Sequence, residues 1–223
     1  LISKGIRKAK NPMLSILQPF HLLEFTFYYH KNRSMHILKE ADIIFNYSHI
    51  RNNFNSILLG SAISNIINKI FEEDYPNDII FRLIYKSLQL LSNNLRDNKV
   101  IFIFFLYHLS KQLGFMPSYK SCNICNQTFQ NDAIFSSNNN TLICENCIMN
   151  NSMDLDFVIK FSTLEKIDLI NKTNIKKICD AKFNDENLSE LFNFLIAFMN
   201  SNINNMHKVK SIKEVSKLYY NEY

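Results

Sequence analysis

Two short cysteine pairs, Cys122-Asn-Ile-Cys125 and Cys144-Glu-Asn-Cys147, stand eighteen residues apart and constrain this chain more than any other feature. Two residues between ligands let a tight knuckle present both thiolates to one ion, and this spacing matches four-cysteine zinc sites. Residues Phe129 to Phe135, a polar turn with Asn138-Asn139-Asn140, and Thr141 to Ile143 read as a hairpin that brings the knuckles together. Two disulfides, or four incidental thiols, are the competing readings. A reducing compartment favours metal over disulfide for paired C-x-x-C motifs, and the five cysteines suit a cytoplasm. The expectation is one structural zinc ion per chain on Cys122, Cys125, Cys144 and Cys147. Four thiolates leave no open position for water, and no histidine has Glu two positions on, as a zinc deaminase base would require.

Other chemistry is restricted by what the chain lacks. Its three glycines, Gly5, Gly60 and Gly114, are too scattered to build either phosphate-binding loop. The G-x-S-x-G elbow is missing as well. A nucleotide-dependent enzyme by these routes is therefore excluded, and the chain is expected not to be an enzyme. The longest apolar run, Val100 to Leu109, falls short of the roughly 20 residues of a membrane span. Leu1 rather than Met opens the chain, inside what reads as a strand, so a preceding N-terminal piece is expected.

Residues 1–46 read as β structure. Phe25, Phe27 and Tyr29 alternate in a first strand, residues 30–34 form a polar turn, and an extended pattern resumes from Met35 to Phe45. From about residue 49 the period becomes helical. Pro76 lies beyond a first helix, Asn77 or Asp78 caps a second, and a third runs from Asp97 to Leu113 with Gly114 as its C′ residue. Val100 to Leu106 is apolar all round and reads as the buried axis of a bundle. Residues 118–150 form an insert. After it, Ser162-Thr163-Leu164-Glu165 and Ser211-Ile212-Lys213-Glu214 read as capping boxes, with a helix carrying Leu188, Leu191, Phe192, Leu195, Ile196 and Met199 between them. The fold class is α+β.

The net charge of +5 is unevenly placed. Lys4, Arg7, Lys8 and Lys10 open the chain with no acid among them, as a segment meeting a polyanion would. Lys31 and Arg33 extend that path. The plainer reading makes the cations a solvated edge. Phe27, Tyr28 and Tyr29 offer faces for unpaired bases, but the alternation of Phe25, Phe27 and Tyr29 reads rather as a face turned into a core. Cys179, beside Lys176 and Lys177, and His108, on the apolar helix, read as packing residues.

Ser3-Lys4-Gly5-Ile6-Arg7-Lys8-Ala9-Lys10-Asn11 followed by Leu17-Gln18-Pro19-Phe20 resembles the bacterial RecO family of DNA repair and recombination proteins, which has K-G-A-R-x-x-K-S before L-Q-P-F. The resemblance continues through the helical middle, the two C-x-x-C pairs of zinc-bearing members, and His207-Lys208-Val209-Lys210-Ser211. It implies an OB-fold-like DNA-binding domain over 1–46, lacking its first strands, and a helical domain over 47–223 with a zinc insert at about 118–150. It further implies a protein of the bacterial cytoplasm, associated with the nucleoid and not with membranes. Such a protein binds single- and double-stranded DNA and anneals complementary strands. It acts with RecR and in many bacteria RecF, helping RecA replace single-strand-binding protein. By match, Lys4, Arg7, Lys8 and Lys10 belong to the DNA-binding segment. The alternative is a zinc-stapled protein-interaction scaffold with little DNA affinity.

Overall fold

The computed structural model describes residues 1–3, 13–32, 35–71, 76–93, 97–116, 118–136, 139–149 and 157–220. A short helix, α1 (Met13–Ile16), leads into β1 (His21–Tyr28) and β2 (Ile37–Asn46), an antiparallel ribbon with two register irregularities. Ile2 adds a parallel edge contact: its N–H donates to the His36 carbonyl at 2.8 Å, and its carbonyl accepts from Leu38 N–H at 2.9 Å. The strands lie where alternation placed them. Directly opposed residues share a face, so Leu23, Phe25, Phe27, Leu38, Ala41 and Ile43 line one side, and Glu24, Glu40 and Asp42 the other.

The expected burial of the aromatic row does not occur. Phe25, Phe27 and Tyr29 are 46%, 39% and 67% exposed. Alternation puts side chains on a common face, but only a second packed layer buries that face, and no described residues form one there. The rings lie against each other instead. Phe25 and Phe27 are 6.1 Å apart, and His36 sits 5.5 Å from Phe27 and 4.8 Å from Tyr29.

The ribbon is joined to the helices through the L-Q-P-F segment. Phe20 adopts φ 61°, and its carbonyl accepts from Tyr47 N–H at 3.0 Å. The Arg51 guanidinium donates to the Pro19 carbonyl at 2.8 Å and to Asn46 Oδ1 at 3.0 Å. Arg51 ends α2 (Ser48–Arg51), and α3 (Phe54–Ile70) follows, capped by Asn53, whose side chain accepts from Ser56 N–H at 2.9 Å. Gly60 lies within α3, where a Cβ would meet the Phe20 ring at 2.8 Å.

The next two helices are bounded as their cap residues specify. Asn77 Oδ1 accepts from Ile80 N–H at 3.0 Å to start α4 (Asp78–Asn93). Asp97 accepts from Lys99 N–H at 2.9 Å to start α5 (Asn98–Gln112), which ends at Gly114 with φ 81°. Every residue from Val100 to Tyr107 is buried, so α5 is the axis of the bundle.

The cysteine-bearing segment carries β3 (Ala133–Ser136), β4 (Thr141–Cys144) and α6 (Glu145–Met149). Its hairpin is as expected, but β5 (Phe157–Ile159), which the sequence reading missed, pairs with the free edge of β3. Then come α7 (Phe161–Lys172), α8 (Ile175–Ile178), α9 (Asp185–Asn202), a 3-10 turn at Met206–Lys208, and α10 (Lys210–Tyr220). Helix α9 carries the expected apolar face, with Leu188, Leu191, Phe192, Leu195 and Met199 buried. It packs on α5, as do α3, α4, α7 and α8, while α10 lies on α3 and α9.

Both expected capping boxes are overturned. Ser162 lies inside α7, whose first residue, Phe161, donates its N–H to Asp132 Oδ1 at 2.8 Å, a cap brought from the cysteine segment. Ser211 likewise lies inside α10, where its Oγ accepts from Asn65 Nδ2 at 3.2 Å. In each case long-range partners occupy the serine or the helix start, and the local box has no work left. No described helix is long and apolar enough to cross a membrane.

Candidate metal centre

The first knuckle is a tight turn. Cys122 N–H donates to the Gln127 carbonyl at 2.9 Å, Asn126 N–H returns to the Cys122 carbonyl at 2.9 Å, and Asn126 takes φ 60° to close it. Asn123 N–H donates to the Leu142 carbonyl at 3.1 Å, which ties the knuckle to β4. Cys144 ends that strand and Cys147 lies on α6, so the second pair straddles a strand-to-helix junction.

The four sulfurs lie within 4.8 Å of one another, with Cys125 and Cys144 at 3.8 Å. None of the four is in a disulfide. Four thiolates about 2.3 Å from a central ion in a tetrahedron stand about 3.8 Å apart, so this group can hold a metal ion. Cys122 Sγ also accepts N–H bonds from Ile124 and Cys144, both at 3.4 Å. Burial alone would raise the Cys122 thiol, but N–H groups of Cys125, Cys144 and Ile124 outweigh it and bring it down to about 6. Burial and then the neighbouring thiols push Cys147 up to about 12. Burial likewise raises the Cys144 thiol, and a cation held between the sulfurs would favour the thiolate form.

The centre is not an isolated appendage. Cys122 is fully buried and belongs to the main core with Phe129, Ala133 and Ile143. Phe135 of β3 stands 5.4 Å from Phe157 and 5.4 Å, edge to face, from Phe194 of α9. A polar tether holds the other side. The Tyr119 hydroxyl donates to Asp168 Oδ1 at 3.2 Å, Lys120 pairs with the same carboxylate at 3.3 Å, and Lys172 pairs with it too. Lys172 first, and then Lys120, hold the Asp168 carboxyl below the usual carboxylate range against the opposing pull of burial. Asn171 Nδ2 donates to the Tyr119 hydroxyl at 3.0 Å, and Asn171 Oδ1 accepts from Lys111 Nζ at 2.7 Å, reaching α5.

Of the six cations expected to meet DNA, Lys31 is exposed in the turn after β1, while Lys4, Arg7, Lys8, Lys10 and Arg33 lie outside the described residues. Cys179 follows α8 and stands apart from the metal group. His108 is half-buried, its Nε2 3.3 Å from the Ile170 carbonyl and its ring 4.1 Å from Phe104. Sequence reasoning missed its neighbours across the groove, Arg82 and Lys86, although their spacing of four places both on one helical face.

Residues 51–211 match the family model described as "Recombination protein O C terminal". The chain is similar to the DNA repair protein RecO of Caldicellulosiruptor saccharolyticus, 25% identical over 195 residues that cover 87% of this chain and 77% of the relative. It is also similar to DNA repair protein RecO of Clostridium novyi, 22% identical over 222 residues, 100% of this chain and 84% of the relative. With DNA repair protein RecO of Alkaliphilus metalliredigens it shares 27% identity over 146 residues, 66% and 58% of the two chains.

Proposed function

The chain belongs to the recombination protein O family, and on that premise we propose that it serves DNA repair and recombination by binding single- and double-stranded DNA and annealing complementary strands. The match over 51–211 carries this reading, because it runs from α3 through α9 and takes in the whole metal centre rather than one motif. The protein makes and breaks no bond in this role. It works in the cytoplasm on the nucleoid, with RecR, single-strand-binding protein, RecF and RecA as partners.

The basic segment of Lys4, Arg7, Lys8 and Lys10, extended by Lys31 and Arg33, contacts phosphates and releases their counterions. The metal is zinc. Cys122, Cys125, Cys144 and Cys147 supply four soft thiolates, which suit zinc and fill its tetrahedron. When bound, the ion staples the hairpin to α6. The OB-like domain corresponds to 1–46 and the helical domain to 47–223.

Titration of fluorescent single-stranded DNA at several salt concentrations tests the reading. Expected is an affinity that falls steeply as salt rises, with annealing of complementary strands in the same concentration range. A chain that captures partner proteins but shows no salt-dependent DNA affinity is the zinc-stapled scaffold instead.

A further inference from the structure

A cleft of about 300 Å3 opens between α4, α5 and α8, apart from the metal centre. Arg82 and Lys86, both exposed, stand one turn apart on its α4 wall. Phe104, His108 and Gln112, spaced by four on α5, form a stripe along the opposite wall, and Asn174 closes the end. Asn174 Oδ1 is engaged by Lys177 N–H at 3.0 Å, which leaves its amide nitrogen two donors to offer. Among the described residues no acid lines the cleft. Burial is the largest influence on His108 and lowers its pKa, so at neutral pH the imidazole presents an uncharged ring beside Phe104.

We propose that this cleft is a nucleotide pocket for single-stranded DNA, with the base against the half-buried His108 ring, which buried Phe104 backs, its edge on the amides of Gln112 and Asn174, and its flanking phosphates on Arg82 and Lys86. The inference rests on the DNA-binding reading above and deepens it with a second contact region on the helices. Three features select this ligand. A recess walled by three helices admits one splayed base, whereas a duplex keeps its bases stacked and paired. Aromatic faces with neighbouring cations are the combination that holds unpaired strands without sequence preference. A chain of acidic side chains alone would use the two cations and leave the ring without a planar partner, whereas a nucleotide engages both together.

The test uses the full chain with a fluorescent oligothymidine and an abasic oligonucleotide of equal length. The unmodified protein is expected to bind oligothymidine about tenfold more tightly than the abasic strand. Arg82→Ala with Lys86→Ala, two exposed positions, should flatten the single-strand salt slope by about 1.4. His108→Ala should keep the slope and lose the base preference. His108→Gln, closer in volume, repeats that measurement if the alanine variant unfolds. Photocrosslinking of an iodouracil-bearing strand to the unmodified chain should label α4 or α5. If the unmodified chain binds no DNA, this proposal and the function above fall together. If it binds DNA but the Arg82/Lys86 variant is unchanged in affinity and slope, with no crosslink on α4 or α5, the pocket is refuted and the function stands. Loss of acidic-peptide binding with DNA binding intact refutes the pocket in the same way.

Discussion

Cys122 differs from the other three cysteines of the group in its burial. It is a candidate metal ligand by spacing, as they are, and also a fully buried core residue in the same cluster as Phe129 and Ile143. Cys122→Ser therefore removes one of four thiolates and places a hydroxyl in an apolar site. Elemental analysis should find one zinc per chain in the unmodified protein, purified under reducing conditions without chelator, and much less in the variant. The variant should also melt at lower temperature, because metal affinity in such a site is part of the folding free energy. Full zinc content in Cys122→Ser would place the ion elsewhere. Gly60 is the second position where one atom matters. A Cβ there would stand 2.8 Å from Cε1 and 3.3 Å from Cζ of Phe20. Overpacking of this kind costs about 1–3 kcal/mol, offset by about 1 kcal/mol from the better helix propensity of alanine. Gly60→Ala should thus lose about 1 kcal/mol in denaturant unfolding, and Phe20→Leu in the same chain should recover part of it. Strict additivity of the two changes would show that the ring and the glycine do not meet.

Elements were legible where local chemistry decided them. Asn77 does cap α4, α5 does start beside Asp97 and end at Gly114, and the continuous apolar run does mark the buried axis. Legibility failed where partners come from far along the chain. Ser162 and Ser211 looked like caps because the local spelling was right, but Asp132 had already supplied the start of α7. Strand β5 has three residues, too few for alternation to declare itself, and it exists because β3 has an edge to fill. The cysteine group was legible because ligand spacing is a local property, whereas the tether through Tyr119, Asp168 and Asn171 joins residues about fifty apart. That tether has its own prediction. Asp168 is held below its ordinary pKa, so its stabilisation is fully present above about pH 4 and fades as pH falls through the lower folded value. Asp168→Ala should cost about 1 kcal/mol near neutral pH, since the pairs are partly exposed and the Tyr119 hydroxyl loses its acceptor. The difference from the unmodified protein should shrink in melts run towards pH 3. A difference that stays constant from pH 7 to pH 3 would locate the effect in packing rather than in charge.

At the scale of the molecule, charge and apolar surface are separated. The ribbon has an apolar aromatic face and an acidic face bearing Glu24, Glu40 and Asp42, and Lys39 of β2 is paired with Glu40 at 3.2 Å. On the reading proposed above, phosphate contacts fall to the segment carrying Lys4, Arg7, Lys8 and Lys10. Replacing Arg7, Lys8 and Lys10 together by alanine should flatten the single-strand salt slope by about 2, on all sequences alike. An unchanged slope in the folded variant would move the dominant site onto the helices.

The all-round burial of α5 also bears on how the chain is made. Its apolar surface is complete once residue 112 has been synthesised, yet α9 begins at Asp185 and α10 ends at Tyr220, and the buried Tyr219 hydroxyl reaches back to the Lys99 carbonyl at 2.8 Å. At about 5–20 residues per second, α5 spends roughly 4–20 s on the ribosome before its last coverings arrive. Helices α3 and α4 shelter part of it in that interval, and the cysteine pairs emerge within it. Metal captured by the nascent chain would fix the β3–β4 hairpin early, giving the late helices a formed surface on which to close.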